Sequence, residues 1–358
     1  MNSVLTSSAP IRRPAWLPKY LPELNGLRGA AILGVVFYHA NPLLVGTPFH
    51  YATLWGWSGV ILFFAMSGFL ITCNLLQARD QEHYFHNFHA RRVLRIWPVY
   101  LLVLVVCYSQ SHWFVGTDMW PAIKAAPWLA YLFFVQNLFP IWLPAALGPT
   151  WALAIEEQYY FFWAPLVRWL RRPWQLALLL VTVLVASPWL RHIHPSWLTP
   201  THTLIHLDGI AWGSLVAIGF CTLSLSRRAW LWIGLVSFVL GIGSAATFAG
   251  GNYMLDSALA LGYTGLMVLL IASTGARNPL SWLLRHGPLA FYGKISYGLY
   301  LTHIMVFIFF GWVDIAMEPH GLNGRLITLV VRLVASTLFA TGLWYGLESK
   351  VLKLKRRF

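Results

Sequence analysis

Residues 57–77 read WSGVILFFAMSGFLITCNLLQ, a run without Asp, Glu, Lys or Arg. A helix needs about 20 predominantly apolar residues to cross the roughly 30 Å hydrocarbon layer of a membrane. Further predominantly apolar runs lie at residues 27–46, 96–114, 123–139, 149–170, 174–190, 204–221, 229–249, 254–274, 293–313 and 325–347. The sequence therefore predicts an all-α fold, a polytopic membrane helical bundle.

The composition excludes a soluble globular protein. Of the 358 residues, 58% are hydrophobic and only 10% are charged, and the mean hydropathy is +0.63, whereas soluble domains carry roughly 25% charged residues. In a soluble chain the net charge of +14 would suggest a nucleic-acid partner. In a membrane protein positive charge first orients the spans, so no nucleic-acid partner is predicted. The three cysteines lie in apolar runs without metal-ligand spacing, and no metal site is predicted.

The positions of Lys and Arg predict how the chain crosses the membrane. If residues 123–139 re-enter the membrane or lie on its outer surface, ten spans remain. Lys124, Arg191 and Arg325 are then outside and Arg332 is within the last span, which leaves the other 21 of the 25 Lys and Arg inside. The prediction is about ten transmembrane helices plus one re-entrant or interfacial segment, with both termini cytoplasmic. The predicted parts are a cytoplasmic amino-terminal tail (1–20), a single membrane domain (21–348) and a basic cytoplasmic tail (349–358).

Arg28 and His39 are candidate functional residues in the first predicted span. Ionisable side chains at membrane depth are costly and are usually kept for function or for an ion pair. The two residues are eleven positions apart, so on a helix they are about 20° from alignment and roughly 16 Å apart along the axis. The structural alternatives are an interfacial arginine that snorkels and a histidine that is hydrogen-bonded to a backbone carbonyl.

Two adjacent carboxylates, Glu156 and Glu157, lie near the outer third of another predicted span. Neighbouring positions on a helix point about 100° apart, so these side chains cannot both serve one site. A buried carboxylate suits a proton acceptor or a group that orients a histidine. Asp208 is the third acid at depth, with a functional and a structural role equally open. Arg332 is predicted to pair with one of these acids.

Arg92 and Arg95 lie where the third predicted span begins and share one helix face, because they are three residues apart. Guanidinium groups bind phosphate by bidentate hydrogen bonds, so this pair is a candidate phosphate site. If these two residues are considered alone, the alternative is that they only orient the span, as cytoplasmic Lys and Arg generally do.

These residues together resemble the acyltransferase-3 family of integral membrane O-acyltransferases. The resembling blocks are Leu24–Gly29 leading to His39, Phe63–Thr72, Arg92–Arg95 followed by Pro98 and Tyr100, Trp151–Tyr160, and Ile295–His303. They follow in the family's order over almost the whole chain. Two positions depart from the pattern, since Ala152 replaces a serine and Tyr159 replaces a phenylalanine. The matching carboxylate, Glu156, is retained.

The resemblance implies an O-acyltransferase of the bacterial cytoplasmic (inner) membrane, with an acyl group, typically acetyl, as the group transferred. Its donor would be cytoplasmic acyl-CoA, its acceptor a glycan or a lipid-linked saccharide, and its surroundings membrane lipid, without a permanently bound cofactor. The implied donor-binding residues are Arg28, Arg92 and Arg95. The implied catalytic residues are His39, as general base or acyl carrier, and Glu156, which orients His39 or binds acceptor. Possible acceptor-binding or supporting residues are Ser67, Glu157, Asp208, Tyr297 and His303.

Several alternatives stay open at the level of sequence. A transporter would also place polar groups at membrane depth, although no repeated halves are visible in this chain. A glycosyltransferase that uses lipid-linked sugars would be expected to show acids in an early external loop, and residues 47–56 contain none. In the membrane-bound O-acyltransferase lineage a late histidine is pivotal, and His303 resembles it. The acceptor could also be an antibiotic-type small molecule. External tryptophans favour an interfacial belt over sugar stacking, namely Trp113, Trp120, Trp128, Trp142, Trp189 and Trp197.

Overall fold

A computed structural model describes residues 21–109, 127–138, 143–248, 253–275 and 279–357. Over these ranges the chain is helical and contains no strand, which confirms the predicted all-α class. Its ten longest helices within these ranges are α1 (Pro22–His39), α2 (Gly59–Ala78), α3 (Tyr84–Ser109), α4 (Thr150–Trp169), α5 (Pro173–Ile193), α6 (Leu207–Thr222), α7 (Arg227–Phe248), α8 (Leu255–Ala272), α9 (Gly287–Phe309) and α10 (Gly321–Leu343). Short helices lie at Phe49–Leu54, Trp128–Leu132, Pro279–Arg285, Gly311–Met317 and Ser349–Lys353.

Six segments of the described chain are long and apolar enough to cross a membrane. They are Phe49–Ala78, Tyr84–Ser109, Pro173–Ile193, Arg227–Phe248, Leu255–Ala272 and Gly311–Lys353. Helix α6 is apolar but shorter. Helices α1, α4 and α9 fall outside this set, and they carry Arg28, His39, Glu156 and His303 of the candidate site. The number of about ten spans and the orientation of the termini stay predictions.

Two of the predicted apolar segments differ in their bounds from the helices of the structure. The third predicted span starts at residue 96, whereas α3 begins at Tyr84, so Arg92 and Arg95 lie inside a helix and not at its start. Within residues 127–138, the described part of the segment 123–139, the chain forms the five-residue helix Trp128–Leu132. At 1.5 Å per residue this helix is about 7 Å long and too short to cross, which favours the re-entrant or interfacial interpretation. Residues 123–126 and 139 lie outside the described residues.

The structure describes only one of the two predicted cytoplasmic tails, residues 1–20 and 349–358. Residues 1–20 lie outside the described residues. At the other end the chain stays helical across the predicted boundary between residues 348 and 349, through a π-helix at Trp344–Glu348, the helix Ser349–Lys353 and a 3-10 turn at Leu354–Arg357. This segment, which we call segment 344–357, packs against α3. It therefore contacts the bundle, and the predicted boundary between domain and tail stays a prediction.

Close packing between helices holds the site-bearing elements together. Helix α2 packs most extensively on α6, and α1 on α9. Gly68 of α2 lies against the Ile210 backbone of α6, and Gly213 of α6 lies against the Ala65 carbonyl of α2. Small residues at such contacts let two helix backbones approach closely, which places the Ser67 side chain next to helix α4.

We expect Gly68→Ala to destabilise the bundle. The added methyl would meet the Ile210 carbonyl, and a backbone atom cannot move aside as a flexible side chain can. Overpacking of this kind costs about 1–3 kcal/mol, measured as a lower thermal unfolding midpoint of the purified protein. The matched control is Gly243→Ala in α7, where a methyl would meet nothing within 4 Å. That variant should be neutral or slightly more stable, and equal losses for both would contradict the packing argument.

Two acids are held in structural ion pairs. Asp208 accepts hydrogen bonds from Arg191 at 2.7 and 3.2 Å and from the Ser257 hydroxyl, which joins α5, α6 and α8. Arg332 pairs with Asp314, so the prediction that it pairs with Glu156, Glu157 or Asp208 is wrong. The short helix that carries Asp314 packs on α10, and Arg332 therefore has a local partner.

Candidate active site

Three arginines from two helices converge on one small cavity, which we call the arginine cavity. Arg28 of α1 and Arg92 and Arg95 of α3 line it, together with Glu156 of α4 and Ser67 of α2. Its volume is about 110 Å³. Four separate stretches of sequence therefore meet at one point inside the bundle.

The three arginines of this cavity have no direct ion pair among the described residues. All three side chains are half-buried, and within the described part of the chain none of them forms an ion pair with a carboxylate. The guanidinium of Arg92 instead lies 5.1 Å from the centroid of the Tyr160 ring. Buried cations that lack a direct ion pair are costly, so an anionic ligand in this cavity would stabilise them.

The carboxylate of Glu156 is oriented by hydroxyl groups. Ser67 Oγ donates to Glu156 Oε1 at 2.5 Å, and the Tyr160 hydroxyl donates to Oε2 at 3.1 Å. The Tyr297 hydroxyl, on the opposite wall, donates to the Ile96 carbonyl at 2.6 Å. Glu156 therefore places an oriented carboxyl group in a cavity that three arginines also line.

His39 lies at the end of α1 and forms a pair with His303 of α9. His303 is fully buried, and its Nε2 lies 3.2 Å from His39 Nδ1. The other ring nitrogen of His303, Nδ1, lies 2.8 Å from the Tyr300 carbonyl and 3.0 Å from the Leu299 carbonyl. Carbonyls only accept hydrogen bonds, so the proton of His303 is assigned to Nδ1 and its Nε2 is an acceptor.

The same reasoning assigns the tautomer of His39. Its Nδ1 lies between two acceptors, the Val35 carbonyl at 2.9 Å and His303 Nε2 at 3.2 Å. The proton of a neutral His39 therefore belongs on Nδ1, which leaves the lone pair on Nε2. An imidazole oriented in this way is arranged to act as a general base.

A second and larger cavity contains His39, and we call it the histidine cavity. Its volume is about 560 Å³, and aromatic and polar side chains line it, among them Tyr38, Trp57, Trp151, His206 and Asp256. His206 Nδ1 lies 3.6 Å from Asp256 Oδ2. The histidine cavity thus combines flat apolar surfaces with groups that form hydrogen bonds.

Three cavities adjoin one another across the bundle. Val60, Phe64 and Tyr300 line both the arginine cavity and the histidine cavity. On the other side, Arg28, Arg95 and Tyr297 line both the arginine cavity and a third cavity of about 370 Å³, which we call the lysine cavity because Lys294 and Lys355 also line it. The arginine cavity is therefore the middle compartment of a series.

The structure brings most of the predicted site residues together, but in two groups. Arg28, Arg92, Arg95, Ser67, Glu156 and Tyr297 line the arginine cavity. His39 and His303 form the pair beside it. Glu156 contacts Ser67 and Tyr160 and not His39, so its predicted orientation of His39 is not the arrangement that forms. His303 occupies that position instead.

Glu157 and Asp208 do not join either group. Glu157 Oε1 is buried without a hydrogen-bond partner among the described residues, on a different face of α4 from Glu156, as the 100° spacing predicts. Asp208 is bound by Arg191 and Ser257 at a helix junction. Its contacts favour the structural role over the functional one.

Sequence reasoning missed Tyr38, Trp57, His206 and Asp256. No periodic pattern distinguishes them from other residues. Tyr38 directly precedes His39, and the other three residues reach the cavity from three different segments. Of the external tryptophans, Trp128, Trp189 and Trp197 are more than half exposed and do not line the histidine cavity. Trp113, Trp120 and Trp142 lie outside the described residues.

Comparison with known proteins agrees with the resemblance. Residues 21–347 match the model of an acyltransferase domain family. The chain is 28% identical over 326 residues to the peptidoglycan O-acetyltransferase OatA of Listeria monocytogenes, a match that covers 80% of this chain and 49% of the relative. It is 34% identical over 159 residues to the putative peptidoglycan O-acetyltransferase YrhL of Bacillus subtilis, which covers 40% of this chain and 23% of the relative.

A third relative is a putative O-acetyltransferase of Staphylococcus aureus, 26% identical over 332 residues, which covers 81% of this chain and 51% of that protein. The chain thus spans about half the length of the first and third of these relatives, and aligns with a smaller share of the second. No solved structure matches the chain.

Proposed function

Because this chain belongs to the acyltransferase family that matches residues 21–347, we propose that it is a membrane O-acetyltransferase. It takes an acetyl group from cytoplasmic acetyl-CoA and transfers it to a hydroxyl group of an extracytoplasmic or lipid-linked glycan. The observation that carries this proposal is the arginine cavity, where three guanidinium groups without a direct ion pair lie next to the compartment of an oriented histidine.

The donor enters from the arginine side. Phosphate is the anion that a cluster of guanidinium groups binds best, through bidentate hydrogen bonds. Arg28 and His39 are on the same helix, roughly 16 Å apart along its axis, which is comparable with the reach of an extended pantetheine arm. A donor held by its phosphates at Arg28 can therefore extend its thioester toward His39, past the wall of Val60, Phe64 and Tyr300.

The acceptor occupies the histidine cavity. The rings of Tyr38, Trp57 and Trp151 offer flat apolar surfaces for a sugar ring, and Asp256 and His206 offer partners for its hydroxyl groups. Two relatives are named as peptidoglycan O-acetyltransferases, which supports a cell-envelope glycan as the acceptor class.

The transfer step uses His39 as a general base. His39 Nε2 takes the proton of the acceptor hydroxyl while its oxygen attacks the thioester carbonyl carbon. A C–O bond forms, the C–S bond breaks, and the leaving thiolate recovers the proton from His39. His303 accepts the hydrogen bond from His39 Nδ1 and stabilises the imidazolium that forms in this step.

The test uses the purified full-length protein in nanodiscs, with acetyl-CoA and soluble peptidoglycan fragments. We expect thiol release to depend on the fragments and to be matched by an added acetyl mass on the glycan. Mass spectrometry of envelope glycans from a deletion strain then identifies the acceptor through the missing acetyl group. Movement of a solute across a vesicle membrane without thiol release would instead establish a transporter.

A further inference from the structure

The lysine cavity has a composition that the transfer step does not explain. Arg28, Arg95, Lys294 and Lys355 line it, and Glu348 is the acidic residue among its lining groups. Four cations and one carboxylate give a local charge of about +3. None of the four cations forms an ion pair with a carboxylate within the described residues. The cavity is thus arranged for a ligand with several negative charges.

Segment 344–357 builds one wall of this cavity. A π-helix at Trp344–Glu348 interrupts the regular helix, a feature that is frequent at functional sites. Glu348 is only 6% exposed, and its Oε1 has no hydrogen-bond partner among the described residues. Lys355 is half-buried, whereas Lys350 and Lys353 on the same segment are exposed. One lysine of the three is therefore directed to the cavity.

Aromatic side chains accompany these charges. Trp344 and Tyr297 line the cavity. The Lys294 ammonium lies 5.5 Å from the Trp344 ring centroid, and it donates to the Tyr345 hydroxyl at 3.3 Å. Cations next to an indole ring suit a ligand that combines phosphate with a flat heterocycle, because phosphate binds the cations and the heterocycle stacks on the ring.

We propose that the lysine cavity binds the phosphorylated adenosine end of coenzyme A, with Lys294 and Lys355 as phosphate ligands. The proposal rests on the proposed function, since it names the part of the donor that this chain recognises. The pantetheine arm then extends past Tyr297, which lines both cavities, into the arginine cavity. Donors that lack the nucleotide, such as the phosphopantetheine arm of a carrier protein, would be discriminated against.

Lys355 also makes donor binding dependent on pH. Burial, followed by the nearby guanidinium groups of α3 and α1, lowers the pKa of Lys355 to about 7. The charged groups around it are Arg91, Arg92 and Arg95 on α3, Arg28 on α1, Lys294 on α9 and Glu348 on segment 344–357. Bound phosphates oppose this effect and raise the pKa, so binding takes up a proton. Affinity for coenzyme A should therefore fall as the pH rises above about 7.

The experiment measures binding of coenzyme A and 3′-dephospho-coenzyme A to the purified full-length protein by calorimetry. Loss of one charge-assisted phosphate contact should weaken binding of coenzyme A by about tenfold in Lys355→Met and in Lys294→Met. Lys353→Met is the matched control, because it removes the same charge two residues away on an exposed side chain, and it should bind as the wild type does. Thermal unfolding establishes that each variant is folded.

Lys355→Arg gives a second readout, since it keeps the charge. It should bind coenzyme A near wild-type affinity and show a weaker dependence on pH above about 7 than the wild type does. Wild-type affinity in both folded methionine variants would overturn this inference while leaving coenzyme A as the donor. Failure of the wild type to bind coenzyme A at all would overturn the proposed donor and this inference together.

Discussion

His39→Ala should lower the rate of acetyl transfer by about a thousandfold, the range expected when a general base is removed. The imidazole is oriented by two acceptors on its Nδ1, the Val35 carbonyl and His303 Nε2, and no other histidine has this arrangement among the described lining residues of the histidine cavity. The measurement is thiol release at saturating acetyl-CoA and acceptor. Affinity for acetyl-CoA should change little, because the proposed binding residues for the donor phosphates lie elsewhere.

Substitutions of His303 test whether this residue supports His39 as a general base. His303→Leu removes the acceptor for His39 Nδ1 and should slow transfer by about tenfold to a hundredfold. His303→Gln places an amide oxygen in the same region and should retain more activity than the leucine variant. The matched control is His192→Ala, whose side chain is exposed and lies outside the three cavities. A His39→Ala protein that is folded and transfers acetyl at the wild-type rate would exclude the general-base scheme.

The double substitution Arg92→Met with Arg95→Met should raise the KM for acetyl-CoA by about a hundredfold, since two charge-assisted phosphate contacts are lost. The effect falls on KM more than on kcat, because these groups hold the donor away from the reacting carbon. The change is measured by initial rates over a range of donor concentrations. Binding of coenzyme A by calorimetry gives the same quantity without an acceptor.

The control for this variant is Arg228→Met. Arg228 is an exposed arginine at the start of α7, so it shares the positive-inside charge but not the cavity. It should leave the KM for acetyl-CoA unchanged. If the double variant is inserted, folded and equal to the wild type in affinity for coenzyme A, then Arg92 and Arg95 serve topology alone.

The sequence identified the residues that line the arginine cavity better than it predicted their contacts. Arg28, Arg92, Arg95 and Glu156 were all identified from charge at membrane depth and from motif spacing, and the structure brings them to one cavity. The interpretation that Glu156 orients His39 failed because it assumed that equal depth means contact. Two side chains at one depth can face different compartments, and here Phe64 and Tyr300 belong to the wall that the two compartments share.

The wrong prediction of the acid that pairs with Arg332 also arose because contacts between helices were unknown. Pairing a buried cation with a buried acid is sound physics, but the choice among acids depends on which helices are neighbours. Asp314 lies only 18 residues earlier and on a helix that packs on α10. The acids at Glu156, Glu157 and Asp208 belong to other parts of the bundle. The charged residues of a sequence therefore predict reliably that a buried cation has an acidic partner. They predict less reliably which acid that partner is.

The sequence alone determined that this protein is a helical membrane bundle, and it singled out the candidate site residues that lie in it. Hydrophobic burial depends on composition and on local periodicity, which a linear chain displays directly. Only the tertiary structure decided that His303 orients His39 across 264 positions of sequence, that Trp57 and Asp256 line the same cavity, and that Lys355 faces Arg95. Such contacts follow from how helices pack, through glycines such as Gly68 and Gly213 that let two backbones approach. A contact between distant residues is a property of that packing, and no local pattern of residues records it.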